Sequence, residues 1–169
     1  MAAAKISGPQ SGEPLSPSSL GKGAGGKAKK SPRHRAREFV VQGLYQWLVG
    51  GQDAAAIVVQ AESVPGFDKS DRELYDTLLD DVMANATSLQ EILQPHISRP
   101  WVEISPIERC ILLLAASELK TRIETPYRVV INEAIELAKT FGGTDGHKFV
   151  NGVLDKLAPE LRSVEIAAR

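Results

Sequence analysis

The chain has 169 residues, a 43% apolar fraction and a single cysteine, enough for one domain with its own core and too few thiols for an intrachain disulfide framework. Lys and Arg number 20 against 21 Asp and Glu, so any polyanion must be met by a local cluster and not by net charge. No stretch approaches the roughly 18 consecutive apolar residues of a membrane helix and Met1 does not open a signal peptide, so a cytoplasmic protein with no membrane contact is expected.

Residues 1–31 are rich in Gly, Ser, Pro and Lys and poor in large apolar groups. Such a segment cannot bury enough surface to offset its ordering entropy, which predicts a disordered tail. From Met1 to Arg37 the basic residues are Lys5, Lys22, Lys27, Lys29, Lys30, Arg33, Arg35 and Arg37, and Glu13 is the one acid. Two readings fit this lopsided charge: a footprint for a polyanion, or a solubilising tail.

The folded domain is expected over 32–163. Ser31 is placed to cap a first helix with Pro32 at its first position, ending near Val49 at Gly50-Gly51. Ala36, Val40, Gly43, Leu44 and Trp47 fall on one face as the core stripe, Val41, Tyr45 and Leu48 flank it, and Glu38, Gln42 and Gln46 fall on the polar side. Asp53 caps a short helix over 54–62. A long third helix starts near Ser70-Asp71, carries Leu74, Leu78, Val82 and Met83, breaks near Asn85 and continues through Leu89, Ile92 and Leu93 to Pro95. Ser105-Pro106-Ile107-Glu108 is a start signal with the spacing of a capping box. The helix after it runs to about Thr121 and is apolar over much of its circumference, with Cys110 as a small core hydrophobe. Thr125-Pro126 starts another, ending at Phe141-Gly142-Gly143, where Gly142 or Gly143 can take the left-handed cap conformation. Thr144 or Asp145 then caps a last helix that buries Val150, Val153, Leu154 and Leu157 and stops at Ala158-Pro159; residues 164–169 are expected as a C-terminal tail. Nothing alternates at period two. The fold class is therefore all-α, with about seven helices, and the passage Pro95 to Pro106 divides two small bundles within one domain.

Signatures of catalysis are missing from the sequence. There is no phosphate-binding glycine loop and no nucleophile elbow. His34, His96 and His147 are too scattered for a metal site, and Glu133 and Glu136 read as a solvated helix face. Neither a catalytic residue, a metal ion nor a cofactor is expected.

Nucleic-acid chemistry is better represented. Arg33, Arg35 and Arg37 open the first helix directly after the Lys-rich segment, and guanidinium forks match phosphate oxygens; the same cluster also fits a charged helix end without a partner. A second group is Asp145-Gly146-His147-Lys148-Phe149 at the start of the last helix. There Phe149 could stack an unpaired base beside Lys148 and the helix N-terminus, or it could extend the core.

Both groups lie in segments that resemble the NusB family. One is Arg35-Ala36-Arg37-Glu38 with Gln42-Gly43-Leu44-Tyr45-Gln46-Trp47. The other is Pro126-Tyr127-Arg128-Val129-Val130-Ile131-Asn132-Glu133-Ala134-Ile135-Glu136-Leu137-Ala138-Lys139. It runs on through Phe141-Gly142 and His147-Lys148-Phe149-Val150-Asn151-Gly152-Val153-Leu154-Asp155. The resemblance covers about Pro32 to Pro159, is weak between Gln52 and Ser105, and departs from the family at His34, where an uninterrupted arginine run can stand. It implies an all-helical antitermination factor that pairs with NusE, a small-subunit ribosomal protein, and binds boxA RNA in nascent transcripts, notably of ribosomal RNA operons. That complex helps RNA polymerase resist termination. By the same resemblance RNA would meet Arg33, Arg35, Arg37, Asp145, His147, Lys148 and Phe149, and NusE would meet Tyr45 and Glu108. Some members resemble a second description, a protein–protein adaptor or homodimer whose RNA surface is occluded. NusB-like domains also occur fused to RNA cytosine methyltransferases, for which this length leaves no room.

Overall fold

Residues 29–168 are described by the computed structural model, so the expectation of a disordered tail over 1–31 falls almost entirely outside the described residues. Helix α1 (Pro32–Gly50) begins as predicted: the Ser31 Oγ accepts the His34 N–H at 3.0 Å and Pro32 occupies the first turn. It ends at Gly51, whose φ of 67° suits glycine and whose N–H returns to the Gln46 and Trp47 carbonyls. Its buried face is wider than the predicted stripe. Ala36, Val40, Gly43 and Leu44 are buried, but so are Arg37, Glu38, Val41 and Gln42, while Trp47 is only half-buried. Glu38 and Gln42 thus leave the expected polar side, because α1 is packed against α2 (Ala54–Glu62), α3 (Arg72–Leu93) and α4 (Pro106–Thr121).

Helix α2 starts at Asp53, whose carboxylate accepts the Ala56 N–H at 2.9 Å, and lays Ile57 and Ala61 against the core. The approach to α1 is close: a Cβ on Gly43 would stand 2.8 Å from the Ile57 Cγ2, so only glycine fits without displacing α2. Phe39, Phe67 and Tyr75 tie α1, the following turn and α3 by two edge-to-face contacts, each with ring centroids 4.9 Å apart. The predicted break in α3 falls at Asn85, with φ −122° and ψ 16°, where the Asn85 Nδ2 donates to the Asp81 carbonyl at 2.8 Å.

Helix α4 is buried continuously from Cys110 to Leu119 and packs against α1, α3, α5 (Tyr127–Phe141) and α6 (Gly146–Leu161). The two halves of the chain therefore meet on one central helix. Burial pushes the Cys110 thiol up to about 12, so it stays protonated as a core side chain.

The C-terminal third departs from expectation in three places. Neither Gly142 nor Gly143 adopts the left-handed conformation. Gly142 is extended at the end of α5, and a Cβ there would come within 2.7 Å of the Ala138 carbonyl oxygen, so close approach is what requires the glycine. Helix α6 runs past Pro159 to Leu161. Beyond it, part of the expected tail forms α7 (Ser163–Ala167). Arg162, at this junction, is buried and donates to the carbonyls of Leu119 at 2.7 Å, Arg122 at 2.9 Å, Thr125 at 3.0 Å and Glu118 at 3.1 Å. It satisfies the Leu119 carbonyl near the end of α4, gathers the carbonyls of the turn that follows, and places a cation at the negative end of that helix. Glu165 accepts the Tyr127 N–H at 2.9 Å, which fixes the start of α5 to α7. No helix among the described residues is long and apolar enough to cross a membrane.

Candidate nucleic-acid interface

The three arginines predicted at the tip of α1 meet three different environments. Arg33 is exposed, with its Nη2 3.5 Å from the Thr125 hydroxyl, and it borders a groove of about 400 Å³ that Glu124 and Glu133 also line. Arg35 is half-buried over the turn after α2, its Nη1 3.8 Å from where a Cβ on Gly66 would lie. Arg37 is 2% exposed. Its Nε and Nη2 donate to the Glu118 carboxylate at 2.9 and 2.8 Å, and its Nη1 donates to Glu133 at 3.1 Å. The expectation that Arg33 and Arg37 offer guanidinium groups together is corrected here: α4 and α5 cover the Arg37 side of α1, and two carboxylates occupy the fork.

These contacts extend into an alternating chain of charges. Lys30 contacts Glu38 at 3.0 Å, Glu38 contacts His34 at 3.5 Å, and His34 contacts Glu133 at 3.2 Å, which continues through Arg37 to Glu118. Hydrogen bonds to Glu133 and then Glu38 hold His34 protonated, with its pKa raised to about 9 against the cost of burial. Burial opposes the charge on Arg37, yet the bonds and charges of Glu118 and Glu133 together more than offset this and its pKa lies above the ordinary value. Burial would raise Glu133, but His34 and Arg37 outweigh it and hold the carboxyl below its usual range. Glu133 is therefore no solvated carboxylate. His34, a departure from the arginine run, is a cation already matched by protein acids.

The second predicted group is arranged differently. Asp145 precedes α6 without capping it through its side chain; its carboxylate sits 3.4 Å from the Lys148 ammonium, both side chains 74% exposed. That correction follows from the Asp145 backbone, at φ −112° and ψ 12°, which is outside the extended region that aims a capping oxygen back at the helix. A pair so exposed holds Lys148 weakly, leaving its ammonium open to other anions. His147 is half-buried. Phe149 is also half-buried: it rests against the core and keeps part of its ring open. The guanidinium of Arg99 lies over that ring, 4.8 Å from its centroid.

Glu108 borders the same turn. Its Oε2 accepts the Ser105 hydroxyl at 2.9 Å and lies 3.3 Å from where a Cβ on Gly146 would stand, so glycine lets α6 start close against α4. The Ser105 Oγ accepts the Glu108 N–H at 3.2 Å, but Glu108 bonds the hydroxyl and not the backbone N–H that a full capping box would use. Tyr45 is half-buried on α1. The structure thus gathers Glu108, His147, Lys148, Phe149 and Arg99 near the start of α6. Arg33 lies at the other end of α5, some 22 Å away by the rise of a 15-residue helix.

Sequence reading missed Arg99 and Glu118. For Glu118 a signal existed, since a lone acid in an otherwise apolar helix needs a buried cation. For Arg99 there was none, because 50 residues separate it from Phe149.

Against this geometry, the NusB family model matches residues 34–159. The chain belongs to the NusB family. It is 58% identical over 140 residues to the transcription antitermination protein NusB of Dechloromonas aromatica (strain RCB), covering 83% of this chain and 86% of that one. It is 55% identical over 141 residues to the protein of the same name from Aromatoleum aromaticum, covering 83% and 97%. Among solved structures it is similar to T. maritima NusB, with TM-score 0.67 and 28% identity over 78% of this chain and 94% of that one. The fold also matches a chain from a structure described as antitermination factors NusB and NusE in complex with dsRNA, with TM-score 0.65 and 24% identity over 76% and 97%.

Proposed function

We propose that this chain is a cytoplasmic transcription antitermination factor that acts by binding and not by catalysis, pairing with NusE and holding boxA RNA of nascent transcripts. Membership of the NusB family carries the reading, since the similar proteins named above are antitermination proteins and match along most of their length. The surface supports it. Lys148 and the partly open ring of Phe149 sit side by side at the start of α6, where helix N–H groups favour a phosphate, and Arg33 and Arg35 add cations at the tip of α1.

Glu108 borders this turn and Tyr45 keeps part of its ring open on α1; in this reading both face NusE. Asp145 and His147 frame the base-stacking position, and Arg37 supports the tip through Glu118 without touching phosphate. The test is a titration of labelled, short, single-stranded boxA-like RNA with this chain, with NusE, and with both. The reading expects the pair to bind more tightly than either protein alone. An RNA affinity no greater for the pair than for NusE alone would overturn it.

A further inference from the structure

Arg99 belongs to the passage between the two halves of the chain and has no role in the reading above, yet its position is closely specified. Ile97 and Trp101 on either side of it are buried, Pro100 follows it, and the Gln94 Nε2 donates to its carbonyl at 3.1 Å. Its backbone is pinned while its side chain is exposed, and it makes no ion pair with a carboxylate among the described residues. A charged side chain of this length ordinarily points into water. Here the guanidinium lies over the Phe149 ring, with Lys148 next in sequence to that ring.

We infer that Arg99 is a further RNA-contacting residue, its guanidinium forming with the Phe149 ring a two-layer platform on which one unpaired base stacks. The inference rests on the RNA-binding reading above and deepens it. A guanidinium held on an aromatic face presents a second planar face outward, and unpaired bases stack on guanidinium planes as they do on rings. Its edge keeps N–H donors free for the phosphate beside the stacked base. Phe149 is then the backing that holds the platform, and the pinned backbone lowers the ordering cost of contact.

The experiment compares wild type, Arg99→Ala, Arg99→Lys and Phe149→Ala, each with NusE, for binding to the same single-stranded RNA over a range of salt. Arg99→Ala should weaken binding about tenfold or more and flatten the log–log salt slope by about 0.7, the contribution of one phosphate contact, with an unchanged melting temperature. Arg99→Lys should restore the slope and leave most of the affinity loss, because an ammonium keeps the charge and lacks the plane. Wild-type-like affinity in Arg99→Ala, with wild type binding firmly, would overturn the platform and leave the functional reading standing. Full rescue by Arg99→Lys would overturn stacking in favour of charge alone. Absence of RNA binding by the wild-type pair would remove both.

Discussion

Arg33 and Arg37 lie four positions apart, and their surroundings give them different work. Arg33 can exchange its weak contact with Thr125 for a phosphate at little cost. Arg37 would have to abandon Glu118 and Glu133 inside the fold, leaving buried carboxylates without a partner. Arg37→Ala should therefore destabilise the protein by about 3–5 kcal/mol, read as a lowered midpoint in urea, with RNA binding lost only to the extent that the protein unfolds. Arg33→Ala should leave the midpoint unchanged and flatten the salt slope of RNA binding by about 0.7. A stable Arg37→Ala protein with impaired RNA binding would reverse these assignments. Spacing alone could not separate the two arginines, because helical geometry says which residues share a face and not which neighbour covers it. Phe149 was legible only as a pair of alternatives for the same reason; it packs against the core with part of its ring left open.

At the scale of elements, the starts of α1, α2 and α4 and the break in α3 were written locally and were recovered, whereas the side-chain cap expected at Asp145 and the left-handed end expected at Gly142 or Gly143 were not. Ser31, Asp53 and Ser105 each cap the helix that follows, and Asn85 marks the kink in α3. What the local pattern could not show is support from afar. Arg162 lies more than 35 residues from the carbonyls that end α4, so nothing near Thr121 announces how that helix is closed. The same residue explains why α7 is ordered structure and not a tail. Arg162→Met keeps much of the apolar stem and removes the donors, so it should cost at least about 3 kcal/mol and expose the junction of α4 and α5 to faster amide exchange. Exchange unchanged from wild type around Thr121–Thr125 would show that α4 closes without Arg162.

For the whole molecule, the chain of charges from Lys30 to Glu118 joins α1, α4 and α5 and makes stability depend on pH. His34 rises from 6.5 unfolded to about 9 folded, so its contribution is complete below pH 6.5 and disappears as pH climbs through 9. That loss amounts to at most about 3–4 kcal/mol, at roughly 1.4 kcal/mol for each pH unit between the two values. Glu133 is held below its ordinary 4.5, so its contribution is present above that value and is lost as pH falls through the depressed one. Urea midpoints should accordingly be highest between about pH 4.5 and 6.5 as far as this cluster is concerned, and His34→Gln should flatten the alkaline decline. A decline of the same steepness in His34→Gln would place its origin elsewhere. The all-helical class could be read from periodicity, because each helix states its own apolar face. The charge network could not, since its members are far apart in sequence and meet only through packing.

The most direct test of where RNA lies on this molecule is photo-crosslinking of the chain, paired with NusE, to boxA-like RNA carrying a photoreactive base at each position in turn. At one position the crosslink should fall on Phe149 or Arg99, with phosphate-proximal crosslinks at Lys148 and Arg33. Efficient crosslinking confined to α2 or α7, with none at Arg99 or in Asp145–Phe149, would contradict an RNA site at the start of α6.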